Sequence, residues 1–335
     1  MNSRILELDT FRGIAVLMVV LYHYTTWYNS VIGHTDPIWI NFPFGHYGVQ
    51  LFFVISGFVI FMTINRSERS MDFVISRGAR LYPVYWASVI LTFSVMYFYG
   101  LQGKEQTLIQ AVINLTMLQQ HFGVKHIDGV YWTLTYEFIF YTLIFFVHKF
   151  GYIKKIVPIC IVWLLLQFSS AIIEKYTGYF PWKITFYFVL LYANLFSAGI
   201  FFYLLAHNKN VNYLHPLIGL CALNQYLVHG LESTIVILIV FTLFYLTIYN
   251  KLTKICNRPL LFLGTISYSL YLIHQYLGWV LLENLGKINI PSNLSVIITL
   301  SAAILIASAL TFTIEKPANR WLRRKYQLHK ESKGL

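Results

Sequence analysis

Charge is what this sequence has least of. Of its 335 residues, 11% are Asp, Glu, Lys or Arg, against about 25% in a soluble domain. A chain so poor in charge cannot cover a water-facing surface, which excludes a soluble globular protein. Cysteine is scarce as well. The three present, Cys160, Cys221 and Cys256, form no CxxC pair and lie in or beside apolar segments. That excludes a disulfide framework and gives no support to a zinc site. Acidic residues are few, 13 against 25 Lys and Arg, for a net charge of +12. The basic residues recur in short clusters between apolar runs rather than in one patch, so nucleic acid is not the expected partner. No internal repeat, low-complexity linker or soluble appendage is visible. No small-residue cleavage site follows the first apolar run, which is expected to be a retained helix rather than a signal peptide.

What is abundant is apolar. Hydrophobic residues make up 57% of the chain, aromatics 18%, and the mean hydropathy is +0.61. A helix needs roughly 20 apolar residues to cross a bilayer core. The sequence predicts an all-α, polytopic integral membrane protein of about ten such helices, at 11–29, 47–65, 80–100, 130–149, 153–173, 184–206, 211–229, 233–250, 259–282 and 293–314. The stretch 105–119 reads as amphipathic rather than spanning. The seventh span is the weakest, since it carries Asn212, His215, Pro216, Asn224 and Gln225. Tyr and Trp favour the headgroup level, so the aromatic load suits many helix ends. Residues 1–317 form the expected membrane domain and 318–335 a short basic tail, lying on the anionic cytoplasmic leaflet.

Orientation follows from Lys and Arg. With the N-terminus cytoplasmic, 19 basic residues fall on the cytoplasmic side: Arg4, Arg66, Arg69, Arg77, Arg80, Lys149, Lys154, Lys155, Lys209, Lys251, Lys254, Arg258 and seven after Glu315. The opposite loops hold five: Lys104, Lys125, Lys175, Lys183 and Lys287. This asymmetry predicts an even number of spans and both termini in the cytoplasm.

Ionisable side chains within hydrocarbon are costly, so each is a functional candidate. Arg12, His23, Glu137 and His274 stand out. Arg12 and His23 are eleven residues apart on the first helix, close to three turns, which puts them on one face about 16 Å apart. The alternative is that Arg12 pairs with Asp9 and His23 is a packing residue. Counted from the span ends, His23, Glu137 and His274 all fall in the outer third of a core about 30 Å thick. Two imidazoles and a carboxylate at one depth form a candidate buried site, or a polar cluster that ties helices together. Imidazole can take a proton from a hydroxyl near neutral pH.

Two further segments carry chemistry. Arg77 and Arg80, at i and i+3 before Leu81-Tyr82-Pro83, can grip phosphates or serve as a positive-inside anchor. Ser56 and Gly57, within Phe52-Phe53-Val54-Ile55-Ser56-Gly57-Phe58, allow close helix packing or admit a narrow ligand chain.

Taken in order, six segments resemble the acyltransferase-3 family of membrane acyltransferases. They are Leu8-Asp9-Thr10-Phe11-Arg12-Gly13-Ile14-Ala15 with His23, the Phe52–Phe58 stretch, Arg77-x-x-Arg80, Trp132-x-Leu134-x-x-Glu137, Ser267-Tyr268-x-x-Tyr271-Leu272-x-His274 and Glu315-x-Pro317. The resemblance runs from residue 5 to about 317. Thr10-Phe11 departs from the Gly-Leu common there. No periplasmic esterase-like domain follows residue 317, so the membrane part is expected to complete transfer itself or hand over to another protein.

The resemblance implies an acyl-CoA donor, most simply acetyl-CoA, on the cytoplasmic side and an acceptor hydroxyl reached from outside. Arg77 and Arg80 would hold the CoA phosphates. The pantetheine arm would pass Arg12, with Ser56 among the donor-binding residues. His23 would be the general base, and Glu137 or His274 would orient it or the acceptor. Glu137 is equally placed to hydrogen-bond a sugar. No metal is required. The implied acceptor is a sugar of a bacterial surface polysaccharide, such as a lipopolysaccharide or capsule repeat, or its lipid-linked precursor, at the inner membrane. Other partners are bilayer lipids and, as an open question, a second copy of the chain. A flippase of lipid-linked glycans, with no chemistry, is the alternative, because it too uses intramembrane charge and basic inner loops. Reporter fusions placed after residue 320 are expected to be active only on the cytoplasmic side; activity only in the periplasm would overturn the orientation.

Overall fold

The computed structural model describes residues 5–101 and 103–332. Arg4 and Lys333, counted among the cytoplasmic cations, lie outside the described residues. The described residues are helical throughout, without strands. In chain order the α-helices are α1 (Leu6–Tyr22), α2 (Tyr28–Val31), α3 (Gly48–Ile64), α4 (Ser70–Tyr99), α5 (Leu108–Asn114), α6 (Trp132–Lys149), α7 (Ile156–Thr177), α8 (Trp182–Tyr187), α9 (Ala193–His207), α10 (Leu214–Ile248), α11 (Arg258–Lys287), α12 (Ser292–Leu310) and α13 (Lys316–Ser332). Two π turns, His23–Trp27 and Thr311–Glu315, join α1 to α2 and α12 to α13.

Six helical stretches are long and apolar enough to cross a membrane: Pro43–Ile64, Ser70–Tyr99, Gly129–Lys149, Ile153–Thr177, Leu214–Ile248 and Ser292–Ser332. Their outer faces carry the apolar side chains a lipid-facing surface requires. On α7 Val162, Leu165, Leu166 and Ile173 are exposed, and on α12 Leu294, Ile297 and Leu305. α11 is as long but more polar, because its face from Ser267 to Tyr276 is buried against protein rather than lipid. The sixth predicted stretch is broken into α8 and α9. The seventh and eighth lie in α10, divided at Gly230, whose φ of 81° is left-handed and costs glycine little. The amphipathic stretch at 105–119 contracts to α5, started by a capping box in which Thr107 and Gln110 each bond the other's backbone N–H. The basic tail is helix α13.

The chain divides into two compact units, and the division falls within α1, α4 and α6. The first unit comprises residues up to Arg12, Tyr47–Phe73 and Tyr136–Asn257. Here α3 packs on α9 with backbone nearly touching backbone. A side chain at Gly57 would strike the Phe196 carbonyl, and one at Gly199 the Val54 carbonyl. Gly57 therefore serves packing. Within this unit a chain of buried amides links α3, α7, α9 and α10. Gln50 Nε2 and Gln225 Nε2 donate to Ser233 Oγ at 2.9 and 2.6 Å. Asn194 Nδ2 donates to Gln225 Oε1 at 2.7 Å, Gln167 Nε2 to Asn194 Oδ1 at 2.9 Å, and Asn224 Nδ2 to the Leu164 carbonyl at 2.9 Å. Asn224 and Gln225, which made the seventh span read as weak, are buried here as interhelical hydrogen-bonding groups.

The second unit comprises Gly13–His46, Val74–Thr135 and the residues from Arg258 onward. α11 is its central helix, packed on α12 and against the His23–Trp27 turn. Asn114 braces the segment that leads to α6. Its Nδ2 donates to the Lys125 carbonyl at 3.0 Å and its Oδ1 accepts from Ile127 N–H at 3.1 Å.

Because the neighbour of Gly57 is backbone and cannot rotate away, Gly57→Leu is expected to cost at least about 3 kcal/mol. The measurement is thermal unfolding in detergent, with Gly219→Ala, where a Cβ meets nothing within 4 Å, as the neutral control.

Candidate active site

Within the second unit, His23 and His274 meet. His274 Nε2 lies 3.2 Å from His23 Nδ1, with ring centroids 4.9 Å apart. The protonation pattern follows from the acceptors. His274 Nδ1 is 2.8 Å from the Tyr271 carbonyl and therefore carries the proton, which leaves Nε2 as a lone pair. His23 Nδ1 is 2.8 Å from the Val19 carbonyl, so it also carries a proton, shared between that carbonyl and His274 Nε2. The remaining nitrogen, His23 Nε2, makes no hydrogen bond among the described residues. His274 is fully buried, while His23 is half-buried.

The pair is held by reciprocal bonds between the two helices. Tyr24 Oη donates to the His274 carbonyl at 2.8 Å, and Trp279 Nε1 donates to the His23 carbonyl at 2.9 Å. The π turn makes this possible. It takes one residue more per hydrogen bond than an α-turn, so the Tyr28 N–H reaches back to the His23 carbonyl. Single π turns of this kind recur at functional sites.

A third element braces α11 next to His274. Asp128 is fully buried and accepts from the N–H of Val130 at 3.2 Å and of Tyr276 at 3.0 Å. Burial pushes its carboxyl up to about 7, against the pull of those two N–H groups. Thr133 Oγ1 and Tyr271 Oη are 2.7 Å apart. Asp128, Tyr24 and Trp279 were not legible as site residues. Asp128 precedes its helix in a turn, and the two aromatics are indistinguishable in sequence from interfacial ones.

Two arginines of this unit lie on α4. Arg77 is buried and Arg80 half-buried. Arg80 interacts electrostatically with Glu315 in the second π turn. Glu315 Oε2 accepts from Ser269 Oγ at 3.0 Å, and Ser269 Oγ is 2.7 Å from Thr311 Oγ1. The Ser269–Glu315 bond thus ties α11 to the Glu-x-Pro segment.

The other candidate residues lie in the first unit. Ser56 Oγ donates to Glu137 Oε1 at 2.8 Å, and the Tyr141 hydroxyl donates to the same oxygen. Arg12 Nη1 pairs with Asp9 Oδ1 at 2.9 Å. The structure therefore joins His23 with His274, and Ser56 with Glu137. Among the described residues no group of three His, Cys, Asp or Glu side chains is arranged to hold a metal.

This geometry predicts that nitrogen-15 NMR of labelled histidine will find both His23 and His274 as Nδ1–H tautomers. A His23 ring protonated on Nε2 would contradict the network.

Comparison with known proteins adds the following. The family profile described as "Acyltransferase domain", acyltransferase-3, matches residues 5–313. The chain is 23% identical over 275 residues to a protein of Acidianus two-tailed virus named "Putative acetyltransferase ORF330", covering 78% of this chain and 80% of that one. It is 26% identical over 148 residues to an "O-acetyl transferase" of Shigella phage Sf6, covering 40% of this chain and 43% of the other. No solved structure matches.

Proposed function

We propose that this chain, which belongs to the acyltransferase-3 family, is a membrane O-acetyltransferase that moves acetyl from cytoplasmic acetyl-CoA to a sugar hydroxyl on the outer side of a bacterial inner membrane. The observation that carries the proposal is the histidine pair. It leaves one imidazole nitrogen with an uncommitted lone pair, on a ring oriented by a second ring that is itself oriented by a carbonyl. This is the logic of an activated base held by a third group.

In the proposed reaction His23 Nε2 takes the proton of the acceptor hydroxyl. The hydroxyl oxygen attacks the thioester carbonyl, the carbon–sulfur bond breaks, and the CoA thiolate leaves with the proton returned from His23. The positive charge that forms on His23 is stabilised through Nδ1–H by His274 Nε2 at 3.2 Å and the Val19 carbonyl at 2.8 Å. Arg77 and Arg80 hold the CoA phosphates as guanidinium donors. Arg12 places the donor arm. Glu137, with Ser56 and Tyr141 on one oxygen, keeps its other oxygen for a donor or acceptor group.

Support for the acetyl and glycan assignments comes from the names of the viral and phage relatives and from the family. Support for ten spans with both ends cytoplasmic comes from the 19-to-five charge distribution and the apolar stretches. The acceptor is a surface polysaccharide, such as a lipopolysaccharide repeat, or its lipid-linked precursor.

The experiment is transfer of labelled acetyl from acetyl-CoA to surface glycan by the purified protein. His23→Ala is expected to lower transfer by roughly two orders of magnitude or more, while acetyl-CoA still binds. A His23→Gln variant that inserts and acylates at the wild-type rate would sink the assignment of the base.

A further inference from the structure

α11 orders three polar stations along one rod in the second unit. Ser269 meets Glu315, which faces Arg80. Five residues on, roughly 7 Å along the axis, His274 meets His23. Nine residues beyond that, roughly 14 Å further along, Glu283 and Lys287 line a cleft of about 200 Å³ together with Tyr28, His34, Thr35 and Ser295. Nothing so far has given this cleft a role.

Its chemistry is that of a polyol site. Glu283 and Lys287 form an ion pair at 2.8 Å on consecutive turns, which sets acceptor oxygens beside an ammonium. Ser292 and Thr35 hydroxyls lie at one edge, with Ser292 Oγ donating to Asp36 Oδ1 at 2.6 Å. His34 Nε2 is held by the Tyr24 carbonyl at 3.0 Å, which fixes the imidazole. The Tyr28 ring stands 6.0 Å from the Trp279 ring, edge to face, and Trp279 is the residue bonded to the His23 carbonyl. The cleft and the histidine pair therefore share one aromatic wall. Alternating hydroxyl, carboxylate and ammonium groups around an aromatic face match the edges and the C–H faces of a sugar ring. The cleft holds one such ring, and its distance from His274 exceeds the length of one.

We infer that this cleft is a distal glycan subsite. It binds a sugar residue of the same polymer several units away from the residue acylated at His23, so the enzyme selects polymeric over monomeric acceptors. The inference rests on the glycan acceptor proposed above.

The test is equilibrium binding, without acyl donor, of de-acetylated surface-polysaccharide fragments of one, two, four and eight sugars, followed by transfer kinetics on the same fragments. Four-sugar fragments are expected to bind at least about tenfold tighter than one-sugar fragments, a factor worth roughly one good polar contact. The variant Glu283→Gln/Lys287→Ala is expected to abolish that preference, and its KM for long fragments to rise towards that for a single sugar. Both positions are solvent-facing enough for folding to persist, and Ser295→Ala provides a second, milder variant. Equal binding of all lengths by the wild type overturns the subsite, as does a preference that survives the double variant. Displacement of fragments by anionic lipid vesicles alone would mark the cleft as a headgroup site and overturn it as well. Length-dependent binding without any acetyl transfer would instead refute the acetyltransferase reading and leave the subsite standing. Transfer to all lengths alike would do the reverse.

Discussion

An imidazole surrounded by protein inside a bilayer must find a partner for its N–H, because no water supplies one. His274 meets this demand fully. Its N–H goes to the Tyr271 carbonyl and its lone pair faces His23. His23 meets it only by half, and the half left over is where chemistry becomes available. The surrounding features follow from keeping that arrangement. The Tyr24 and Trp279 bonds fix the rings' backbones, Asp128 braces the next turn of α11, and the π turn brings the His23 carbonyl to the Trp279 N–H. A more regular helix in this place would not offer the His23 carbonyl to both Tyr28 and Trp279.

The two units solve the same solvent problem in different ways. In the first, amides on four helices satisfy one another in a chain from Gln50 to Asn224, and glycines let α3 and α9 approach to backbone contact. That is a packing solution, with polar groups used as ties. In the second, polar groups are spaced along α11 at intervals set by the helical rise. Cation and carboxylate come first, then paired imidazoles, then a polyol-like cleft. The spacing turns one helix into a path with distinct ends, which is what a transfer reaction across a bilayer requires.

Much of this was legible from sequence because cost is legible. A charged or imidazole side chain in an apolar run is expensive wherever it points, so Arg12, His23, Glu137 and His274 could be picked out without coordinates. The meeting of His23 with His274 was accessible as equal depth, since helical rise converts residue counts into distance. Arg12 pairing with Asp9 was accessible as i, i+3 spacing. What could not be read was anything that depends on local departures from ideal helix. The break between α8 and α9, the turn at Gly230 and both π turns leave apolar composition unchanged, so an apolarity scan passes over them. Asp128 escaped for a related reason. It sits in a turn, where an Asp is unremarkable, and its significance lies wholly in burial.

The π turn at His23–Trp27 has an evolutionary side. Compared with an α-helix, it holds one surplus residue. Removing that residue would leave an intact helix of the same hydrophobicity, yet it would turn everything beyond it by about 100° relative to what precedes it. Tyr28 and His34 would leave the cleft, and the carbonyl of residue 23 would lose its second donor. Substitutions along this helix change one side chain at a time, whereas a single deletion here would separate the base from the outer cleft. Length in this short segment is thus expected to be under stricter selection than residue identity.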